Sequence, residues 1–286
     1  MSKNNSFLGW YYRLQTGTDT IAFIAAKHTH KKSTTCSVQV ITDTLVKSVD
    51  FGPADWQRLG KAPNVRIKDN LFTDREITVS LSDKAFSLGG TVRLYDAKPI
   101  AYDIMGPFTA VPFLQCRHSV ISMEYRLEGT LTLNGRVIDF TGGKGYIEGD
   151  RGTSFPKDYA WTQTFFEGGS LMLSVGAIPM GPLSFTGIIG VIMRDGKEIR
   201  LATYLGAKAL KKSGGEVIIR QGAYTFSARL IRKNALPLKA PDNGLMSRTI
   251  HESATCQAAY RLTKKDEVLV DFETDRAAFE FEFPGD

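Results

Sequence analysis

Carboxylate, aromatic and glycine residues are concentrated in one segment near the middle of the chain, residues 143–156. Within it, Glu148 and Asp150 stand two residues apart, and Tyr146 precedes them at the same spacing. Because alternate side chains of a strand point to the same side, all three share a face if the segment is extended. A carboxyl group at the edge of an apolar cavity can act as a proton donor. The segment is therefore a candidate site for acid catalysis.

A purely structural role is the alternative for the same residues. In a turn, Asp150 would accept hydrogen bonds from backbone N–H groups. Arg151, which follows it directly, would then pair with Glu148. The spacing alone is compatible with both interpretations.

Other motifs with known chemistry are absent or incomplete. No phosphate-binding glycine loop and no Gly-x-Ser-x-Gly motif occurs in the sequence. His28 and His30 lie among lysines, which would repel a cation. Cys116 and His118 form a Cys-x-His pair, but no second pair with suitable spacing completes a zinc site. The sequence therefore predicts no metal and no cofactor, with Cys116 buried and His118 hydrogen-bonded at a strand end.

Period-2 alternation of apolar and polar residues dominates the chain and indicates the elements that position these residues. It is clearest at 77–82 and 279–283, where each strand should have one dry and one wet face. Asn134-Gly135 and Asp195-Gly196 are typical of type I′ hairpin turns. Further predicted strands are 10–15, 20–26, 37–42, 130–133, 136–140, 171–175, 187–193, 217–220, 224–230 and 268–272. A short helical turn is predicted at 55–60, and long connections at 102–117 and 234–243. The fold class predicted is all-β and antiparallel, a sandwich or barrel.

Composition and charge narrow the classes of partner. The 286 residues carry a formal net charge of +6 and are 42% hydrophobic, which excludes a disordered chain. Basic residues concentrate at 194–239 and acidic ones at 266–286. The basic stretch could contact an anionic membrane surface, or it could be a sheet face that pairs with the acidic tail. Since no nucleic-acid motif accompanies it, we expect no nucleic-acid partner.

The cysteines and the start of the chain indicate the compartment. The three cysteines are far apart and form no Cys-x-x-Cys motif, which favours free thiols. Residues 1–6 are polar and lack the apolar core of a signal peptide, and no apolar run is long enough to span a bilayer. These features predict a cytoplasmic location.

The central segment also resembles a known family. The run Gly-Tyr-Ile-Glu-x-Asp-x-Gly-x-Ser-Phe-Pro at 145–156, followed by Trp-x-Gln at 161–163, is similar to the signature of the tocopherol cyclase-like family. In this family, Lys usually stands at the position of Gly149 and Trp at that of Arg151. Other segments resemble family landmarks in the expected order: 9–11, 105–108, Cys116-x-His118, 122–123, 178–179, 185–187 and 202–204.

The resemblance implies an architecture and a reaction. Tocopherol cyclases add a proton to a prenyl double bond, and the quinol hydroxyl captures the resulting tertiary carbocation. The family is similar in architecture to carotenoid hydratases and paired lipocalin-like proteins, which use two β-barrel-like domains and act on isoprenoid lipids. The Gly9-Trp10 pair also resembles the start of lipocalin-like barrels. We therefore expect two lipocalin-like β-barrel or sandwich domains, 1–120 and 121–286, with a boundary that strand swapping would blur.

The resulting hypothesis is a tocopherol cyclase-like enzyme, of the isomerase or intramolecular lyase type, that cyclises or hydrates an isoprenoid or prenylquinol-like lipid. Glu148 or Asp150 is the predicted proton donor. The predicted substrate-binding residues are Tyr146, Trp161 and Phe166 as cavity lining, with Gln163 and His118 positioning a polar group. The alternative is a non-catalytic carrier of a hydrophobic small molecule on the same scaffold.

Overall fold

A computed structural model describes residues 5–61, 63–112, 114–180, 183–234 and 236–284. These residues form β-strands joined by tight turns, and they contain no α-helix. Three 3-10 turns interrupt the strands, at Pro53–Asp55, Gly106–Ala110 and Thr203–Leu205. The prediction of an all-β, antiparallel fold is confirmed.

The chain forms two compact units, each built from separate segments. Unit 1 contains the residues up to 100, together with 116–154 and 241–248. Unit 2 contains 101–115, 155–240 and 249 onwards. Strands from both sides of residue 120 belong to the sheet of unit 1. The chain passes between the units several times.

Unit 1 is built on one antiparallel sheet. Its order is β4-β3-β2-β1-β12-β10-β9-β8-β7-β6-β5, and β11 pairs with β10. The strands are β1 (Asn5–Gln15), β2 (Thr20–His30), β3 (Ser33–Thr42), β4 (Val46–Phe51), β5 (Trp56–Arg58), β6 (Val65–Ile67), β7 (Asn70–Phe72), β8 (Glu76–Asp83), β9 (Phe86–Tyr95), β10 (Cys116–Leu133), β11 (Arg136–Asp139) and β12 (Lys144–Gly152).

Unit 2 is built on a second antiparallel sheet. Its order is β16-β15-β14-β13-β22-β21-β19-β18-β17, and β20 pairs with β21. The strands are β13 (Tyr159–Phe166), β14 (Gly169–Met180), β15 (Leu183–Arg194), β16 (Lys197–Ala202), β17 (Lys208–Ser213), β18 (Glu216–Gln221), β19 (Tyr224–Arg232), β20 (Leu236–Asp242), β21 (Leu245–Lys264) and β22 (Glu267–Phe281).

Each unit has its own hydrophobic core on one face of its sheet. In unit 1, Trp10, Tyr12 and Leu14 of β1 point into this core, and Ile147 of β12 joins them. The alternate residues of the same strands, such as Arg13, point to the opposite face. Arg13 is fully buried, so the non-core face of this sheet is not a simple wet face.

Specific hydrogen bonds attach the crossing segment 101–115 to unit 2. The Arg200 guanidinium donates to the backbone carbonyl oxygens of Tyr102 and Asp103, at 2.9 and 3.0 Å. Arg200 also lies over the ring of Tyr102, with 3.6 Å from the guanidinium carbon to the ring centroid. A guanidinium has five N–H donors in a fixed plane, so one side chain can hold several acceptors at once.

The two predicted hairpin turns are present, whereas the predicted helical turn and one predicted connection have a different structure. The Asn134-Gly135 and Asp195-Gly196 turns have positive φ at all four residues, as type I′ hairpins require. The helical turn predicted at 55–60 is instead the 3-10 turn Pro53–Asp55, followed by a strand, because the Asp55 carboxylate accepts a hydrogen bond from Gly52 N–H. The connection predicted at 234–243 contains the strand β20.

The basic stretch at 194–239 does not pair with the acidic tail as a strand neighbour. The tail lies in β22, whose neighbours are β13 and β21. The acids within the basic stretch instead form ion pairs with bases of that stretch. These pairs are Arg194–Asp195, Arg200–Glu198 and Lys211–Glu216. Cys36, Cys116 and Cys256 are free thiols, as predicted. No helix in the described residues is long and apolar enough to cross a membrane.

Candidate active site

Strand β12 brings the predicted acids together in the middle of the unit 1 sheet. It is paired with β1 on one side and β10 on the other. Glu148 lies directly opposite Tyr11 of β1, and Asp150 lies directly opposite His118 of β10. Residues directly opposite in an antiparallel sheet point to the same side. Tyr146, Glu148 and Asp150 therefore share the non-core face with Tyr11 and His118.

On this face, five side chains form a connected cluster that we call the acid cluster: Cys116, His118, Tyr146, Glu148 and Asp150. The His118 imidazole lies between the two carboxylates, with Nδ1 3.0 Å from Asp150 Oδ1 and Nε2 3.1 Å from Glu148 Oε2. The Nδ1 contact is a hydrogen bond, whereas the Nε2 contact lacks hydrogen-bond alignment. Tyr146 OH donates to Glu148 Oε2 at 2.6 Å, and Cys116 Sγ donates to Asp150 Oδ1 at 3.3 Å.

The two carboxylates determine the charge of His118. Burial, the largest single effect, lowers the pKa of an imidazole because it disfavours the cation. Asp150 and Glu148 together outweigh this effect through their charges and hydrogen bonds, so the pKa of His118 is raised well above its usual value. His118 therefore keeps a proton inside the protein at neutral pH.

The remaining members of the acid cluster stay neutral donors. Burial raises the pKa of Tyr146 well above its ordinary value, and the nearby Glu148 charge raises it further. Burial likewise raises the pKa of the Cys116 thiol, with Asp150 adding to the shift. Both groups thus keep their protons and donate to the carboxylates.

The protonated imidazole of His118 thus lies beside the Glu148 side chain, with 3.1 Å from Nε2 to Oε2. The side chains of His118 and Glu148 are 9% and 7% exposed, so bulk water competes little for the proton on the imidazole.

The turn proposed as the structural alternative does not form. The backbone of β12 is extended from Lys144 through Gly152. Arg151 is exposed and, by alternation, points away from Glu148 and Asp150. The two acids therefore contact the His118 imidazole and point away from Arg151.

The tocopherol cyclase-like family usually has Lys at the position of Gly149. The local structure explains why glycine stands here instead. Gly149 lies directly opposite Trp10 of β1, and a Cβ at this position would overlap the Trp10 ring. Trp10 is 7% exposed and belongs to the core of unit 1. The indole ring thus occupies the space that a side chain at position 149 would need.

The other predicted substrate-binding residues lie in unit 2. Trp161 and Gln163 are buried on the non-core face of β13, at 6% and 0% exposure. Phe166 has the opposite orientation and stacks on Phe272 against the core of unit 2, with 5.0 Å between ring centroids. Phe166 therefore does not share a face with Trp161.

The sequence analysis missed two residues of the buried non-core face of unit 1, Tyr11 and Arg13. Their alternation with Trp10 and Tyr12 was the available signal, but it gives no indication that both faces of β1 are buried. It also missed Glu280 in unit 2, which is 8% exposed although the alternation at 279–283 indicated a wet face.

Within the described residues, the groups that could offer ligand atoms to a cation are His118, Glu148 and Asp150, whose ligand atoms lie within 4.8 Å of one another. Each imidazole nitrogen faces a carboxylate oxygen, at 3.0 Å for Nδ1 and 3.1 Å for Nε2.

Comparison with known proteins identifies the fold. No protein-family model and no curated protein sequence matches the chain. The solved structure of CghA with Sch210972 matches with a TM-score of 0.61 at 12% identity, over 98% of this chain and 89% of that chain. Kievitone hydratase from Nectria haematococca matches with a TM-score of 0.53 at 8% identity, over 99% and 90% of the two chains.

The fold is lipocalin-like. It is of the type found in these two neighbours. At such low identity the likeness extends to the fold alone. The resemblance to the tocopherol cyclase-like family is not confirmed by the comparisons.

Proposed function

We propose that this protein is an enzyme that protonates a carbon–carbon double bond of a hydrophobic small molecule and so starts hydration or ring closure. The observation that carries the proposal is the buried acid cluster, in which His118 lies between Glu148 and Asp150. An alkene is a very weak base, so its protonation needs a donor that is held in place and shielded from water.

The cluster supplies both halves of a proton cycle. In the proposed cycle, a proton of the His118–Glu148 pair moves to one alkene carbon, and a carbocation forms at the other. The oxygen of water, or of a hydroxyl group within the substrate, attacks this cation and loses its proton to the cluster. The net reaction adds H and O across the double bond, and the cluster returns to its starting protonation state.

The carboxylates would also stabilise the charged intermediate. When the proton has left, the cluster is one unit more negative than before, next to a developing cation. Preorganised charge in a water-poor site is an effective source of transition-state stabilisation. A trisubstituted alkene, as in an isoprenoid or a prenylated quinol, suits this chemistry because protonation gives a tertiary cation.

The neighbours support this class of reaction without defining the substrate. Kievitone hydratase is a hydratase by name, and CghA was solved with the small molecule Sch210972. We take from them the type of chemistry and the kind of ligand, a small molecule. The isoprenoid class rests on the resemblance of the segment 145–156 and on cation stability.

The test is product formation from prenylated quinols, followed by chromatography and mass spectrometry. Glu148→Gln preserves the shape of the side chain but removes its proton exchange, so product formation should fall at least about a hundredfold. Arg151→Gln, at an exposed position near the end of the same strand, is the matched control and should retain activity. Equal activity of the Glu148→Gln variant and the wild type would refute the proposal.

A non-catalytic carrier is the second candidate. It is favoured by one observation: the side chains of the acid cluster already contact one another, so the cluster could be a buried structural network. A carrier would co-purify with a lipid that mass spectrometry identifies, and it would return every offered alkene unchanged. Conversion of an alkene by the wild type excludes this role as the sole function.

A further inference from the structure

The net positive charge of the chain is concentrated in three neighbouring strands of unit 2. Residues 208–233, which include β17, β18 and β19, hold seven basic side chains and one acidic side chain. The remaining residues hold 29 basic and 29 acidic side chains, so this segment accounts for the whole net charge of +6. Its single acid, Glu216, is already paired with Lys211 at 2.6 Å.

Three of these bases point outwards on the same face of the sheet. Arg220 follows Ile219 and Arg229 follows Ala228, and both of these apolar residues belong to the core of unit 2. Lys208 lies directly opposite Arg220. Successive residues of a strand point to opposite faces, whereas directly opposite residues share a face. Lys208, Arg220 and Arg229 therefore share the non-core face, where all three are exposed and none forms an ion pair with a described residue.

Two aliphatic side chains are exposed beside these bases. Leu210 is 61% exposed and Ile231 is 40% exposed. Each is the extra residue at a shift in strand register, Leu210 between β17 and β18 and Ile231 between β19 and β21. Leu210 comes two residues after Lys208, and Ile231 two residues after Arg229, so each shares the face of that base. Bulges re-aim side chains, and both bulges here present an aliphatic residue to solvent.

The exposed residues of this face form what we call the outer patch: Lys208, Leu210, Arg220, Arg229 and Ile231. A purely structural role accounts for only part of it. Lysine on an edge strand commonly prevents pairing with another sheet, and β17 is an edge strand among the described strands. However, β18 and β19 have neighbours on both sides, so this role does not explain Arg220 and Arg229. Lys208 and Arg220 are like charges directly opposite each other, which destabilises a sheet and which an anionic partner would offset.

We propose that the outer patch binds an anionic membrane surface. Its three bases contact the lipid phosphates and carboxylates, and Leu210 and Ile231 insert at the boundary between head groups and acyl chains. Basic residues attract a protein to anionic lipid, and aliphatic side chains add apolar burial at the interface. A nucleic acid suits the outer patch less well, because single strands stack on exposed aromatic rings and the exposed apolar side chains here are aliphatic. The inference does not rest on the proposed function, since it concerns a surface that contains no member of the acid cluster.

Sedimentation of the full chain with lipid vesicles tests the role of the bases. Vesicles of equimolar phosphatidylserine and phosphatidylcholine should bind the wild type at least about tenfold more tightly than vesicles of phosphatidylcholine alone, and added salt should reduce this difference. The double variant Lys208→Gln/Arg220→Gln should bind the anionic vesicles at least about tenfold more weakly than the wild type. Arg66→Gln/Lys84→Gln removes the same charge at exposed positions of unit 1 and is the matched control. It should weaken binding by no more than about twofold, because these positions lie outside the outer patch.

The aliphatic residues are tested separately. Leu210→Ser/Ile231→Ser should weaken binding to the anionic vesicles at least about tenfold, because the apolar contact with the interface is lost. Val137→Ser, at a position of unit 1 that is 64% exposed, is the matched control and should bind as the wild type does. Circular dichroism and thermal unfolding establish that each variant is folded.

The outcomes separate this inference from other partners and from the proposed function. Equal or absent binding of the wild type to the two kinds of vesicle would overturn the inference, as would undiminished binding by a folded Lys208→Gln/Arg220→Gln protein. Tighter binding to a single-stranded DNA oligonucleotide than to the anionic vesicles, unchanged in Leu210→Ser/Ile231→Ser, would assign the outer patch to nucleic acid and overturn it too. Glu148→Gln should lose turnover yet bind vesicles as the wild type does. A wild type that binds the anionic vesicles but forms no product from any alkene would refute the proposed function alone.

Discussion

Two buried histidines of unit 1 respond to burial in opposite ways. His118 has carboxylates at both nitrogens, and its pKa is raised well above the usual value despite the opposing effect of burial. His28 contacts the neutral Ser37 hydroxyl at 3.2 Å, and burial lowers its pKa to about 4. One imidazole therefore carries a proton at neutral pH and the other does not, because only one has charged neighbours.

His118 should stabilise the folded state most at low pH. Its folded pKa lies above the unfolded value of about 6.5, so its contribution is fully present below pH 6.5 and is lost as the pH rises through the folded pKa. Urea unfolding of wild type and His118→Asn at pH 6, 7.5 and 9 measures this. The difference in free energy of unfolding should shrink towards high pH. A difference that grows with pH would contradict the assigned charge.

His28 should have the opposite effect. Its folded pKa of about 4 lies below the unfolded value, so the unfolded chain takes up a proton first and stability falls as the pH drops from 7. His28→Gln should remove roughly 2 kcal/mol of this loss between pH 7 and pH 5. Ser37→Ala removes the hydrogen-bond partner but leaves the ring buried, so it should retain the acid sensitivity. Equal sensitivity in His28→Gln and wild type would show that burial does not hold this ring neutral.

At the scale of single residues, the sequence indicated Glu148, Asp150 and His118 one by one, but it did not indicate how they are arranged. Cys116-x-His118 stood out by its spacing; a metal was considered for the pair, and His118 was predicted to position a polar group of the substrate. The contact of both residues with Asp150 depends on the register between β10 and β12, which are separated by the hairpin partner β11 in the chain. Local spacing contains no information about such a register.

Among the elements, β12 has the greatest influence on the site, and its position depends on a close approach to β1. Trp10 lies against Gly149 on the core side, while Glu148 and Asp150 point to the other side. Since the pleat has a period of two, a one-residue shift of β12 would turn the acids towards the core. The indole and the glycine therefore fix the face on which the acid cluster forms.

Gly149→Ala should destabilise the protein, because the added methyl group meets the Trp10 ring. Overpacking of this kind costs about 1–3 kcal/mol. Gly17→Ala is the control, since no heavy atom lies within 4 Å of a Cβ at that turn position. Chemical unfolding gives both values. A loss at Gly149→Ala no larger than at Gly17→Ala would refute the account of this contact.

Strands and hairpins could be predicted where the period-2 pattern of apolar residues and the residues of the turn indicate the same structure. Asn134-Gly135 and Asp195-Gly196 have the residues that positive φ demands, and both hairpins are present. The strand β20 was missed because Pro237 and Pro241 suggested a connection. Proline is compatible with a strand that pairs on one side only, and β20 pairs only with β21 among the described strands.

At the scale of the whole molecule, two sheets with separate cores follow from a chain in which short alternating strands and turns recur throughout. The sequence did not indicate which segments belong to which unit, because segments such as 101–115 and 241–248 join residues that are distant from them in the sequence. The hydrogen bonds that hold them, such as those from Arg200 to the carbonyls of Tyr102 and Asp103, form no local pattern. The buried non-core faces were unpredictable for a similar reason, since alternation looks the same whether the polar side is covered or wet.

The central claim is that the acid cluster delivers a proton to a carbon atom of the substrate. The most direct measurement is to incubate the protein with a prenylated quinol in D2O and locate the label in the product by mass spectrometry and NMR. The account predicts one deuterium on the alkene carbon that becomes C–H, formed by wild type and Arg151→Gln and at least about a hundredfold more slowly by Glu148→Gln. Product without deuterium at that carbon, or labelling as fast in Glu148→Gln as in wild type, would contradict it.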